Sequence, residues 1–495
     1  MSSSTKSIWF LTGSQHLYGP ETLAQVAVHS STIAHSLAAR LSGISDIEFK
    51  PVLTGPDAIR DIIREANTAP NCVGLITWMH TFSPAKMWIA GLLELQKPLL
   101  HFHTQFNRDV PWSTIDMDFM NLNQAAHGDR EYGFIGARLQ IARKIIVGHW
   151  ESASVVADIA SWARVAVGNA DSKSLKVARF GDNMREVAVT EGDKVEAQIR
   201  FGWSINGYGV GDLVQIVNSF SDKEVESLVT EYSDLYDFAP GLIGPGPGRE
   251  SVKVQARIEL GLQAFLSQGN FGAFTTTFED LHGLSQLPGL AVQRLMGAGY
   301  GFAGEGDWKT AALVRLMKTI AGNSQTSFME DYTYHFDPDN ELVLGSHMLE
   351  ICPTISSNKP RIEVHPLGIG GKADPARLVF DGAVGPAINA SIVDLGARFR
   401  LIINKVTAVS APHEMPKLPV ARVLWKPEPS LRVGAEAWIR AGGAHHTGFS
   451  LAVTAKQLND WAEMVGVESV IIDKSTEPIS FTNELRQNNA AWKLL

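Results

Sequence analysis

Apolar positions along this chain follow two rhythms, and the change from one to the other divides it. Residues 7–13 (SIWFLTG) are a short apolar run ending in glycine, which predicts a strand covered on both faces that runs into a turn. Residues 14–20 are a polar loop, and residues 21–41 repeat apolar side chains at helical spacing. The unit recurs. The pattern predicts strands over 49–53, 73–79 and 99–104, a helix over 56–68 and a long helix over 133–147. Alternating strands and helices imply a parallel, doubly wound sheet, whose ligand edge lies at the carboxyl ends of its strands. Gln15, His80, Thr81, His103, Thr104 and Gln105 fall at that edge, although loops there are polar also because they are exposed.

A cluster of Gly, Asn, Asp and Ser over 168–174 suits a linker. Beyond it the alternation resumes: a strand over 175–180, a loop over 181–185, helices over 225–232 and 249–266, a strand over 274–280 and helices over 290–296 and 307–319. The Pro-Gly stretch 239–248 reads as a surface loop. Its prolines, and a following helix without a Lys-Ser/Thr start, exclude a phosphate cradle. After Gly322 the rhythm changes. Runs over 332–336, 341–348, 361–364, 377–380, 387–394, 399–409 and 421–425 succeed one another with turns between them, predicting an antiparallel sheet or barrel. A helix over 455–465 and a strand over 467–472 follow. The expected domains are 1–174, 175–323 and 324–495.

Composition narrows the class. With 495 residues, 45% of them hydrophobic, the chain can bury several cores, in keeping with three domains. A net charge of −9 with no basic run argues against a nucleic-acid partner. Two cysteines far apart in sequence make a disulfide framework improbable and suit a reducing compartment. No run reaches the ~18 apolar residues of a membrane helix, and the first residues are polar, so a cytoplasmic protein without membrane contact is expected.

Candidate chemistry gathers late in the chain. Glu305 lies between two glycines, Glu330-Asp331 is an acidic pair, and His347 and His445-His446 follow glycine-containing stretches. These are the oxygen and nitrogen ligands that a borderline divalent metal takes. Each also has a plainer reading. Gly-acid-Gly turns are common in solvent, adjacent acids form surface pairs or helix starts, and a His pair can sit on a surface. His127, placed before the predicted helix 133–147, is more often a cap or turn residue than a catalytic one.

Four stretches, 13–22 (GSQHLYGPET), 80–88 (HTFSPAKMW), 300–309 (YGFAGEGDWK) and 441–447 (AGGAHHT), closely resemble the bacterial L-arabinose isomerase family. The resemblance runs over nearly the whole chain and thins only after about 476 and near Pro245. It implies an α/β fold: two doubly wound, fucose-isomerase-like parallel-sheet domains followed by a β-rich, antiparallel barrel-like C-terminal domain. It implies an aldose-ketose isomerase converting L-arabinose to L-ribulose, with D-galactose to D-tagatose as a slower reaction. By the same resemblance, the metal ligands are Glu305, Glu330, His347 and His446, the ion is Mn2+ with Co2+ as a substitute, and Glu305 and Glu330 carry the proton of a cis-enediol mechanism. Asp307 either assists by hydrogen bonding or caps an exposed helix. Sugar contacts are implied for Gln15, Leu17, His127, Met184, Phe278, Tyr332 and Ile369. The family's homohexamer, in which the first domain of one subunit covers the site of another, would account for Gln15 and His127 lying so far along the chain from the metal ligands.

Elementary chemistry agrees with that ligand set. Two carboxylates neutralise a divalent ion, and two imidazoles move preference from magnesium and calcium toward transition metals. Two rivals differ in kind. A non-catalytic sugar-binding protein needs neither this ligand set nor a third, β-rich domain, and a metal-dependent hydrolase would cleave a bond where an isomerase conserves mass.

Overall fold

Strand β1 (Ser7–Gly13) is buried along its whole length, as a run of Ile, Trp, Phe and Leu requires. It is the second strand of a parallel sheet formed with β2 (Asp46–Phe49), β3 (Cys72–Met79), β4 (Leu99–His103) and β5 (Lys144–Val147), in the order β2-β1-β3-β4-β5. The computed structural model describes residues 6–368 and 371–492, and the chain separates into two units, Met1–Ala170 and Asp171–Leu495.

Three expectations for the first unit need correction. β2 ends at Phe49, where 49–53 had been expected; Pro51 has no N–H to give a ladder, and Leu53 keeps only an isolated bridge to Gly13. The helix expected over 133–147 is the helix Ala125–Arg138 followed by β5. In β5 only Ile146 is buried, while Ile145 and Val147 are exposed, so a short apolar run had hidden a period of two. His127 consequently lies within the first turn of a helix. The stretch read as a linker is the end of the helix Ala153–Ser172. Val155, Ile159, Trp162 and Ala166 are buried at helical spacing and carry the helix through Gly168 and Asn169.

The second unit begins with β6 (Lys176–Phe180), β7 (Ser204–Tyr208), β8 (Asp237–Phe238), β9 (Ala273–Thr276) and β10 (Gly301–Ala303). Four of these form a parallel sheet in the order β10-β9-β6-β7. Then come β11 (Thr326–His335), β12 (Leu342–Ser346), β13 (Arg361–Val364), β14 (Ala376–Val379), β15 (Gly385–Asp394), β16 (Phe399–Val409), β17 (Val423–Pro427), β18 (His446–Ser450) and β19 (Glu468–Ile472). Six of them close an antiparallel barrel, β15-β18-β11-β12-β17-β16, because β16 also pairs with β15; β19 adds to β16 in parallel. The run of strands expected as one sheet therefore splits. β13 and β14 leave the barrel and pair with β8 in a separate three-stranded sheet.

The helix Trp308–Ile320 leaves the end of β10 and is buried on nearly every face. Such a helix can sit only between layers, and here it lies between the parallel sheet and the barrel. Met329, Val343, Trp425 and Phe449 of the barrel share one apolar cluster with Val225, Tyr232 and Val252 of the neighbouring helices. The turn leaving β10 and the ends of β12 and β18 meet in this packed region. Among the described residues, no helix is long and apolar enough to cross a membrane.

Candidate active site

Register in the barrel brings the first three groups together. Glu330 of β11 stands directly opposite Ser346 of β12 on one side and His446 of β18 on the other. His347 is the next residue after Ser346. Cross-strand neighbours have Cβ atoms about 5 Å apart, so a carboxylate and two imidazoles on adjacent strands reach a common space. The fourth group comes from the parallel sheet. Past β10 the chain turns through Gly304-Glu305-Gly306, and Glu305 adopts φ 60°, a left-handed conformation costly for a residue with a side chain. Both glycines are needed. A Cβ on Gly304 would lie 2.9 Å from His347 Cε1, and one on Gly306 would lie 2.6 Å from the Asp182 carbonyl oxygen, at a φ of +78°.

The ligand atoms of Glu305, His347 and His446 lie within 4.8 Å of one another. His446 Nε2 is 3.9 Å from Glu305 Oε2, and His347 Nε2 is 4.0 Å from Glu330 Oε2. Atoms on opposite sides of a divalent ion, each about 2.1 Å from it, are about 4.2 Å apart, so these spacings suit one ion. Both imidazoles are buried, and each is held from behind by a carboxylate. His347 Nδ1 donates to Glu350 Oε2 at 2.5 Å, and His446 Nδ1 donates to Asp307 Oδ2 at 3.2 Å. A proton held on Nδ1 leaves Nε2 with its lone pair, which is how ligating histidines are oriented. His446 Nε2 is buried and has no hydrogen-bond partner. Buried polar atoms are rarely left so, and a cation bound among these groups would satisfy this one.

Electrostatics separates the two histidines. Burial holds His446 below the usual imidazole value, against the opposing pull of Asp307. Burial would lower His347 too, but the charge and hydrogen bond of Glu350, with the charges of Glu330 and Glu305, hold it above that value. Glu305 is held below the ordinary carboxylate range, first by its hydrogen bond with His445, whose Nε2 lies 3.4 Å from Glu305 Oε2. Burial would raise Asp307, yet the Lys309 charge and the His446 hydrogen bond bring it down to about 2. Asp307 also accepts from the Thr310 backbone N–H and hydroxyl at the start of the helix Trp308–Ile320. Of the two readings open from sequence, hydrogen bonding or an exposed cap, the structure shows a cap that is buried and that also hydrogen-bonds His446.

Other expected residues divide between the units. Phe278 lies over the His347 ring at a centroid distance of 6.1 Å and an angle of 15°, and the Met184 N–H donates to the Glu305 carbonyl at 3.0 Å. Tyr332, 47% exposed, sits at a break in register between Asp331 and Thr333, and its hydroxyl points to Met348 Sδ at 3.7 Å. Gln15, Leu17 and His127 belong to the first unit. There Gln15 precedes the short helix His16–Tyr18, Leu17 is 83% exposed, and the exposed His127 packs its ring 4.6 Å from that of Phe82. Ile369 lies outside the described residues. Of the groups placed at the edge of the first sheet, His80, Thr81 and Thr104 are buried: His80 Nε2 meets His29 Nδ1 at 2.8 Å, and Thr81 bonds Ser14 at 2.7 Å.

Glu350 and Phe328 were not singled out from sequence. Phe328 is fully buried and stands edge-on to both His347 and His446. An acid three residues after His347 was the available signal for Glu350, but it acquires meaning only once the chain turns at the end of β12.

Family models agree with this geometry in extent. Residues 2–174 match the L-arabinose isomerase N-terminal domain, 176–323 the L-arabinose isomerase central domain and 325–468 the L-arabinose isomerase C-terminal domain. The L-arabinose isomerase of Anoxybacillus flavithermus is 67% identical over 484 residues, covering 98% of this chain and 97% of that protein. That of Geobacillus thermodenitrificans is 67% identical over 485 residues, 98% of each chain, and that of Clostridium beijerinckii is 60% identical over 485 residues, again 98% of each. Matched across all three domains and along nearly its full length, the chain belongs to the L-arabinose isomerase family and is an aldose-ketose isomerase.

Proposed function

We propose that the chain interconverts L-arabinose and L-ribulose, with D-galactose to D-tagatose as a slower reaction, using one divalent transition-metal ion held by Glu305, Glu330, His347 and His446. Manganese, with cobalt as a substitute, is the ion that the family resemblance implies. The observation that carries this reading is the buried, unpartnered His446 Nε2, 3.9 Å from Glu305 Oε2 in a cluster shared with the His347 imidazole. When bound, the ion supplies a Lewis acid for the sugar's carbonyl oxygen.

The chain's own groups do the rest. Removing the proton at C2 of the aldose leaves an enediolate; the hydroxyl proton then passes from O2 to O1, and returning the first proton to C1 completes the ketose. Glu305 or Glu330 carries that proton. Glu305, kept ionised by its hydrogen bond with His445, is able to accept it. Asp307 and Glu350 keep both imidazoles turned inward. Phe278 offers an apolar face for the sugar's C–H surface, and Phe328 excludes water behind the histidines.

Ketose formation from L-arabinose, measured before EDTA treatment, after it and after adding manganese, tests the reading. Activity is expected to fall with the metal and to return with it. Full turnover in protein shown by elemental analysis to hold no metal would overturn the metal role. Product formed in D2O is expected to carry deuterium at C1, whereas a hydride shift would leave none.

Gln15, Leu17 and His127 are proposed to serve the site of another copy in a homohexamer. His127→Ala and Glu305→Ala chains, each nearly inactive, should regain about a quarter of the sites when refolded together, since each site needs two half-chance events. Mixed oligomers without recovered activity would place these residues at the site of their own chain.

A further inference from the structure

We propose that Arg185 is a positioning residue that ties together the two loops forming the apolar wall beside the metal-binding groups, and so sets the preference between pentose and hexose. The inference rests on the isomerase reading above. β6 and β9 are parallel neighbours, and the loops leaving their carboxyl ends carry Met184 and Phe278. Each loop touches a different member of the site. The Met184 N–H donates to the Glu305 carbonyl at 3.0 Å, and the Phe278 ring lies over His347.

Arg185 joins the two loops. Its Nη1 lies 2.9 Å from Glu279 Oε2, its Nη2 donates to Asp280 Oδ1 at 2.9 Å, and its backbone N–H donates to Glu279 Oε2 at 3.0 Å. The Asp182 N–H adds a bond to Asp280 Oδ2 at 3.2 Å. Both carboxylates immediately following Phe278 are therefore engaged by the loop that carries Met184. The Arg185 side chain is 65% exposed, and ion pairs in that setting are individually weak, so their loss should leave the fold and the metal ligands in place. What changes is how far Phe278 can move away from Met184.

That freedom has a chemical reading. D-Galactose carries one hydroxymethyl group more than L-arabinose at the end of the chain away from the reacting carbons. A wall fixed through both loops holds the smaller sugar closely and resists the larger. A wall fixed through one loop only holds the pentose less well and yields to the hexose. Discrimination by one such group is a matter of packing, and it appears as a change in KM and in the ratio of kcat/KM values.

The test uses the manganese-loaded enzyme with Arg185→Met, which keeps the apolar stem, Arg185→Lys, which keeps the charge, and Asp280→Asn. For Arg185→Met the KM for L-arabinose is expected to rise about fivefold with kcat within about twofold, and the hexose-to-pentose ratio of kcat/KM to rise about threefold or more. Asp280→Asn should shift both in the same direction, Arg185→Lys should fall between Arg185→Met and wild type, and the Arg185→Met/Asp280→Asn double variant should be little worse than the worse single one. Metal content and the thermal midpoint, read in parallel, should match wild type. Unchanged KM and ratio in folded, metal-loaded variants would overturn the proposal, as would a fall in kcat at constant KM or additive losses in the double variant. Failure of the wild-type protein itself to form ketose would instead overturn the isomerase reading.

Discussion

In each unit a pair of histidines is held by carboxylates, and the two arrangements end in different places. In the first unit a single acid does the work: Asp129 takes His101 Nε2 at 2.9 Å and His103 Nδ1 at 2.8 Å, and its Oδ1 also accepts the Met79 N–H. Both oxygens are consumed in bracing β3 and β4 against the helix Ala125–Arg138. In the second unit two acids divide the task. Glu350 holds His347 and Asp307 holds His446, each at Nδ1, and both Nε2 atoms are left facing Glu305 and Glu330. His101 also keeps an unpartnered nitrogen, but among the described residues only Glu305, His347 and His446 bring three ligand atoms within 4.8 Å. Residue types alone do not distinguish a brace from a ligand set. The direction of the second nitrogen does.

The comparison is broken most sharply at His446. His446→Ala should abolish metal binding by calorimetry and with it nearly all turnover, whereas His445→Ala, outside the trio, should bind metal and keep more activity. The reverse result would make His445, not His446, the ligand. A smaller effect is expected from the acids behind the imidazoles. Asp307→Asn and Glu350→Gln should each weaken metal affinity about 10- to 100-fold, the usual cost of losing such a partner. Unchanged affinity in both would reduce them to braces like Asp129.

Asp129→Ala should do the opposite. It leaves the Met79 N–H and a buried imidazole without their acceptor, at a cost of about 3 kcal/mol to the first unit, read as faster amide exchange in β3 and β4. Metal affinity should not move. The smallest effect depends on pH. The Asp129 hydrogen bond holds His103 above its usual value of 6.5, so that contribution is fully present below the unfolded value and is lost as pH rises through the folded one. The gap in urea midpoint between wild type and Asp129→Asn should therefore narrow as pH rises above about 6.5. A gap that widens would mean that His103 is not the titrating partner.

Some of this was legible along the chain. Strands such as β1 and β3 are continuous apolar runs, and the change after Gly322 from helical spacing to closely spaced strands announced an antiparallel layer before any pairing was known. Gly304-Glu305-Gly306 marked a turn that only glycines could flank, because the backbone's close approach to His347 and Asp182 excludes a Cβ. Reading failed where the local signal fits two periods, as at Ile145 to Val147, or where a polar cluster rides on a helix whose buried face lies elsewhere, as at Gly168 and Asn169. β13 and β14 read as part of one antiparallel sheet or barrel with their neighbours for a related reason: strand periodicity records burial on one face and carries no information about the partner.

By itself, the sequence determined many of the strands, helices and turns, and which residue types were available for chemistry, because those follow largely from contacts within a few positions. Tertiary structure alone decided that Glu330 would stand between Ser346 and His446, that Glu305 would face a histidine 141 positions further on, and that Asp307 and Glu350 would hold the imidazoles from behind. Those juxtapositions depend on barrel closure and on a buried helix that fixes the turn after β10, and no local periodicity encodes which distant strand becomes a neighbour.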